Sequence, residues 1–201
     1  MDVAVLGGTF APPTLAHLAL LRAGMAFTGA RTGVWVPSSV SYMKRWRPES
    51  MPDAWFIDAR NRTGMLRALC AAEGDMALYS GEIETAGDTY TFDTLCALEE
   101  KYGGRVSFVM GADLVPSLPG WHRADALLRR FRFVAASRGE GELTGAPAGI
   151  EVMPFPEDYR DVSATAVRAL ILAGKTDEAR GYLHPAVYDY IMQNREVPAD
   201  A

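Results

Sequence analysis

The stretch GGTFAPPTLAHLAL, Gly7 to Leu20, decides how this chain is read. It follows directly on the apolar run Val3-Ala4-Val5-Leu6, which has the composition of a short buried strand. An ordinary strand-to-helix connection needs neither two glycines nor two prolines. Glycines after a buried strand let the backbone bend and come close to a bulky group while leaving amide N–H groups open, and a phosphate is such a group. Pro12-Pro13 makes a rigid approach to a helix whose N-cap is Thr14. His17 lies three residues on, so both side chains share one face of the first turn, beside the N–H groups and the positive end of the helix dipole. A plain cap beside a surface histidine is the blander reading, and by itself the commoner one.

The familiar phosphate loops fit this chain poorly. GxGxxG is absent, and the strand ending at Pro37 carries no acidic residue to hold a ribose. A GKT occurs at 174–176, but the first glycine of a Walker loop would fall at Ala169, and a helical stretch rather than a strand precedes it.

Outward from residues 7–20, short β-branched or aromatic runs at 33–37, 75–80, 105–110 and 131–137 alternate with helical patterns at 14–27, 55–73 and 91–102. That alternation predicts an α/β fold: a Rossmann-like, doubly wound, mainly parallel sheet with helices on both faces and ligands beyond the C-terminal strand ends. From Ser163 the chain reads helical to Asn194, interrupted near Gly174 and at Pro185, as a C-terminal helical cap. The expected division is one domain over 1–201, with a core at 1–160, the helical part at 161–194 and a tail at 195–201. Residues 38–54 exceed the normal length of a structureless loop, which predicts a functional lid or a mobile segment. Residues 138–149 read as a solvated connection.

Composition sets the outer limits. At 201 residues and 49% hydrophobic, the chain suits one packed core. Its net charge of −5 argues against a general nucleic-acid or membrane binder, because those need a basic surface. Any anionic ligand must be met by local positive groups. Cys70 and Cys96 sit inside helical patterns as small buried residues, and with no CxxC or HExxH no metal site is expected. The opening apolar run is too short for a signal peptide and no later run approaches a membrane span, so a reducing cytoplasm is the expected location.

GGTFAPPTLAHL resembles the signature of the nucleotidylyltransferase superfamily: a strand, two small residues, an aromatic, a proline, then His-or-Thr, any residue, Gly, His. Here Ala16 replaces the Gly. VSATAVR at 162–168 resembles that superfamily's second signature, Ile-Ser-x-Thr-x-x-Arg. TYTFDTLCAL at 89–98, GADLVPSLPGWHRADALL at 111–128 and the C-terminal YLHPAVYDYI are similar to segments of bacterial nicotinate mononucleotide adenylyltransferases.

The resemblance implies an enzyme that joins nicotinate mononucleotide and ATP into nicotinate adenine dinucleotide and pyrophosphate. It implies ATP contacts from Gly7, Gly8, Thr9, Phe10, Gly111, Asp113, Ser163 and Thr165, and catalytic groups at His17, Thr14 and Arg168. His17 would donate to the triphosphate, Thr14 would add a weaker donor, and Arg168 with the amides around Ser163 would grip the β and γ phosphates. Mg²⁺ would be held mainly by phosphates and water. Leu118-Pro119-Gly120-Trp121 reads as a tight turn presenting an indole, with Gly120 free to take positive φ, and an electron-rich face suits a cationic pyridinium. The start of a helix at Thr89-Tyr90-Thr91 offers N–H donors to the nicotinate carboxyl, with Thr89 or Thr91 assisting. Lys44 is placed within reach of a phosphate, whereas His122 and His184 are read as structural. The partners are small molecules, with a homo-oligomer left open. Nicotinamide mononucleotide or phosphopantetheine as acceptor, and a nucleotide-binding regulatory module whose catalysis has decayed, are the alternatives.

Overall fold

The computed structural model describes residues 1–39, 58–137 and 146–194. Six strands form one sheet in the order β3-β2-β1-β4-β5-β6, every pair parallel: β1 (Val3–Gly8), β2 (Thr32–Pro37), β3 (Met76–Leu78), β4 (Val106–Gly111), β5 (Arg132–Ser137) and β6 (Ile150–Pro154). The expected parallel sheet is therefore present. β6 is an element that the sequence reading assigned to no strand, because its outer positions Glu151 and Val152 are exposed at the sheet edge and blur the apolar run.

Two-residue periodicity sorts the strands between two cores. Val3, Val5, Val34, Val36, Phe108, Met110, Phe133 and Ala135 face one side, and Ala4, Leu6, Trp35, Val109, Val134 and Ala136 the other. On the second face lie α1 (Leu15–Thr28) and α2 (Ala59–Glu73), and on the first α4 (Thr91–Tyr102) and α5 (Ala124–Arg130). Small residues set the depth of α1. A Cβ on Gly24 would come within 2.4 Å of Val109, and one on Gly33 within 2.9 Å of Met25.

A single-turn helix α3 (Gly81–Glu84) follows β3, and a 3-10 segment, Ala112–Gly120, follows β4. The C-terminal part forms α6 (Ala164–Leu172), α7 (Thr176–Ala179) and α8 (Pro185–Asn194), with the interruption at Gly174 made by a positive φ of 73°. α8 packs against α2: Tyr190 fills the space over Gly64, and its hydroxyl donates to Asn61 Oδ1 at 3.0 Å.

Candidate active site

β1 and β4 are neighbours whose onward connections run to opposite sides of the sheet, which leaves a crevice beyond their C-terminal ends. A cavity of about 1030 Å³ occupies it, lined from β1 by Gly7 and Gly8, from α1 by Ala16 and His17, from β4 by Gly111 and from the start of α6 by Ser163 and Ala164.

The two glycines are there for space. Neither has positive φ; a Cβ on Gly7 would stand 3.3 Å from the Phe108 ring and one on Gly8 3.0 Å from the Phe10 ring. Phe10 itself takes a φ of 48°, which turns its ring inward, so at 1% exposure it belongs to the core and not to the cavity wall. The Phe10 side chain, expected from the family likeness to touch the nucleotide, lies outside the cavity lining. Its ring meets His17 edge-on at 5.3 Å and Trp35 edge-on at 5.1 Å, holding the imidazole from behind.

Thr14 caps α1 with extended backbone, and its N–H donates to His17 Nδ1 at 3.0 Å. An Nδ1 that accepts leaves the proton of the neutral ring on Nε2, so His17 is set as a donor on that side. The Thr14 hydroxyl lies 2.9 Å from the same Nδ1, and Thr14 is 2% exposed. Thr14 thus orients the imidazole, and it lines the cavity beside His17.

Arg168 also differs from expectation. It reaches the loop before α1 across 157 positions of sequence, so the two ends of the chain do meet. The guanidinium is buried, however, donating to the Ala11 carbonyl at 3.2 Å and to the Thr165 hydroxyl at 2.9 Å, and neither Arg168 nor Thr165 lines the cavity. Burial lowers the pKa of Arg168. It ties α6 to the proline loop and so sets where Ser163 stands.

At the other end of the cavity, Asp113 leans back over Gly111, where a Cβ would be 2.3 Å from its carboxylate oxygen. Thr89, Tyr90, Thr91, Thr94, Phe108 and Trp121 complete this wall. Trp121 stands edge-on to Phe108 at 5.9 Å, and its indole N–H donates to Ser117 Oγ at 3.0 Å. The turn before it needs no positive φ at Gly120; the left-handed residue is Arg123, at 57°. His122, read from sequence as structural, lines the cavity and stacks on Tyr90 with ring centroids 4.1 Å apart. His184 does serve the structure, with Nδ1 accepting from Ala186 N–H and Nε2 3.1 Å from Glu73. Lys44 and most of loop 38–54 lie outside the described residues.

Two site residues escaped the sequence reading. Glu82 lines the cavity and accepts from the Thr94 hydroxyl at 2.8 Å and the Thr89 hydroxyl at 3.4 Å. Burial raises its pKa, and the two threonine hydrogen bonds oppose that rise. Nothing in spacing separates it from exposed Glu84. Arg62 is 1% exposed and donates to the carbonyls of Thr9 at 3.2 Å and Ser38 at 2.9 Å, joining the loops after β1 and β2 beneath the cavity. Burial pulls its pKa down to about 10, against the pull of Asp58. Here a signal existed: Arg62 shares the apolar stripe of α2 with Met65, Leu66 and Leu69.

The cytidylyltransferase-like family matches residues 5–170. A Gloeobacter violaceus protein named "Probable nicotinate-nucleotide adenylyltransferase" is 31% identical over 92% of this chain and 95% of its own length. The Bacillus subtilis nicotinate-nucleotide adenylyltransferase is 28% identical over 96% of each. In fold, the chain is similar to a Plasmodium falciparum nicotinic acid mononucleotide adenylyltransferase complexed with NaAD, with a TM-score of 0.71 and 19% identity over 99% of this chain and 97% of that one.

Proposed function

Because this chain belongs to the cytidylyltransferase-like family, among the nicotinate-nucleotide adenylyltransferases, we propose that it joins nicotinate mononucleotide to ATP at the crevice between β1 and β4. An oxygen of the mononucleotide 5′-phosphate attacks the α-phosphorus of ATP; the new P–O bond forms as the bond to pyrophosphate breaks, and pyrophosphate leaves with the electron pair. The nucleophile is already ionised, so no general base is required. The protein holds two polyanions in line and stabilises charge on the transferring phosphoryl group.

The observation that carries this reading is the His17 ring, fixed by the Thr14 N–H at 3.0 Å so that its Nε2–H is the donor, within the same cavity as Trp121 and residues 89–91. In this reading His17 donates to the phosphate oxygens, and Gly7, Gly8, Thr9 and Ser163 border the triphosphate. Asp113 accepts from ribose hydroxyls at the end of β4. Trp121 is the platform for the pyridinium, and the amides at the start of α4 meet the carboxylate. The hydroxyl of Thr89, which lies 3.4 Å from Glu82, or that of Thr91 assists those amides.

Among the described residues no cluster of three or more His, Cys, Asp or Glu side chains could hold a metal by itself. Mg²⁺ therefore fits as an ion carried in on phosphate oxygens and water, where it would neutralise charge, and no side chain is assigned to it. Among the described residues no helix is long and apolar enough to cross a membrane, and we place the reaction in the cytoplasm.

The test is a pyrophosphate-release assay with ATP and Mg²⁺ and, in parallel, nicotinate mononucleotide, nicotinamide mononucleotide and phosphopantetheine. Turnover is expected with the first, and best with it. Preference for either of the others would replace the acceptor, and ATP binding without release would point to a regulatory module.

A further inference from the structure

The acceptor end of the cavity combines aromatic faces with one carboxylate. Phe108, Trp121 and Tyr90, the last stacked on His122, wall it on the aromatic side. Glu82 stands in the same wall, its two oxygens positioned by Thr94 and Thr89. Because both hydroxyls donate to Glu82, the carboxylate is held as an acceptor with its charge fixed at the cavity rather than swinging into solvent. Among the described residues no lysine or arginine lines the cavity. Aromatic faces beside an anchored carboxylate form a site for a flat organic cation.

We infer that Glu82 is the counter-ion of the bound pyridinium ring, and that this end of the cavity selects the oxidised, cationic mononucleotide over its reduced, uncharged 1,4-dihydropyridine form. The inference rests on the reading above that the mononucleotide binds here. The nicotinate carboxylate meets the start of α4 while the ring, whose nitrogen carries the formal positive charge, faces Glu82 and Trp121. Reduction of the ring removes that charge and leaves the substrate's carboxylate and phosphate as they were. Reduction also ends the ring's aromaticity and its attraction to the Trp121 face, so the share that belongs to Glu82 is read from Glu82→Gln, which leaves those faces in place.

The experiment titrates the full chain by calorimetry with nicotinate mononucleotide and with its dihydropyridine form, for the unmodified protein, Glu82→Gln and Glu82→Asp. The unmodified protein should bind the oxidised form at least about tenfold more tightly. Glu82→Gln, which keeps a hydrogen-bond acceptor for a threonine but loses the charge, should weaken the oxidised form by about tenfold and leave the reduced form unchanged, narrowing the ratio. Glu82→Asp should retain most of the preference. Equal affinity of the two forms for the unmodified protein would overturn the inference even if no variant folds. Parallel weakening of both ligands in Glu82→Gln, or no change in either, would also overturn it by leaving Glu82 a merely structural role. Pyrophosphate release is scored separately: its absence would remove the proposed reaction, whereas release with an unselective binding site would remove only the counter-ion.

Discussion

At the scale of single residues, the site works by orientation. His17 receives the Thr14 N–H on Nδ1 and the Phe10 ring edge on its flank, so its tautomer and rotamer are set before any ligand arrives. A donor fixed in this way contributes mainly in the transition state, where phosphoryl charge spreads. His17→Ala should therefore lower kcat on the order of 10²–10³-fold with little change in the KM of either substrate, as read by steady-state pyrophosphate release. Unchanged turnover in a folded variant would remove His17 from the mechanism. In the proposed reading Trp121 serves the other substrate. Trp121→Ala should raise the KM for the mononucleotide several-fold, with that for ATP within experimental error. Equal losses on both substrates would instead mark the indole as packing for Phe108.

At the scale of elements, close packing against the sheet decides where these residues stand. α1 can carry His17 to the crevice only because Gly24 lets the helix settle onto Val109 and Gly33 makes room for Leu21 and Met25. Gly24→Ala sets two effects against each other. Helix propensity favours alanine by about 1 kcal/mol, while forcing a methyl to 2.4 Å from a central-strand valine costs about 1–3 kcal/mol in overpacking. The strand cannot yield as a surface side chain would, so the net effect should be destabilising, seen as a lower Tm and a shifted urea midpoint. A Tm above that of the unmodified protein would show that α1 rides higher than described. Arg168 and Arg62 act at this scale too. One ties α6 to the proline loop through the Ala11 carbonyl, and the other ties the loops after β1 and β2 through the carbonyls of Thr9 and Ser38.

At the scale of the whole molecule, ionisable groups give stability a defined pH profile. Arg105 donors hold the Asp2 carboxyl below its ordinary 3.8, and Arg132 holds Glu151 below its ordinary 4.5. Both pairs stabilise the fold above those ordinary values and lose that effect as pH falls through the lower folded-state values. Glu82 has the opposite sign: its pKa is raised by burial, so its ionisation costs stability, and protonation relieves the cost as pH falls through the raised value. Tm should rise slightly on acidification toward an ordinary glutamate value and then fall. Glu82→Gln should abolish the rise, and Arg132→Gln should blunt the fall; differential scanning calorimetry from pH 7 to pH 3 reads both.

The parallel sheet and the helix opened by Thr14 were legible in the sequence because they are written in local pattern: period two, period near four, and a cap with prolines before it, whereas the meeting of residues 7–20 with 162–168 was expected from family likeness alone. Family likeness supplied the chemistry that spacing left open. Tertiary structure alone decided which side chains line the cavity. Phe10 and Arg168, read as ligand contacts, turned inward, while Glu82 and His122 came to the cavity wall. The physical reason is that a side chain's partners are set by what packs across from it. Ala11 lies 157 positions from Arg168 and Thr94 lies 12 from Glu82, separations that no local periodicity encodes.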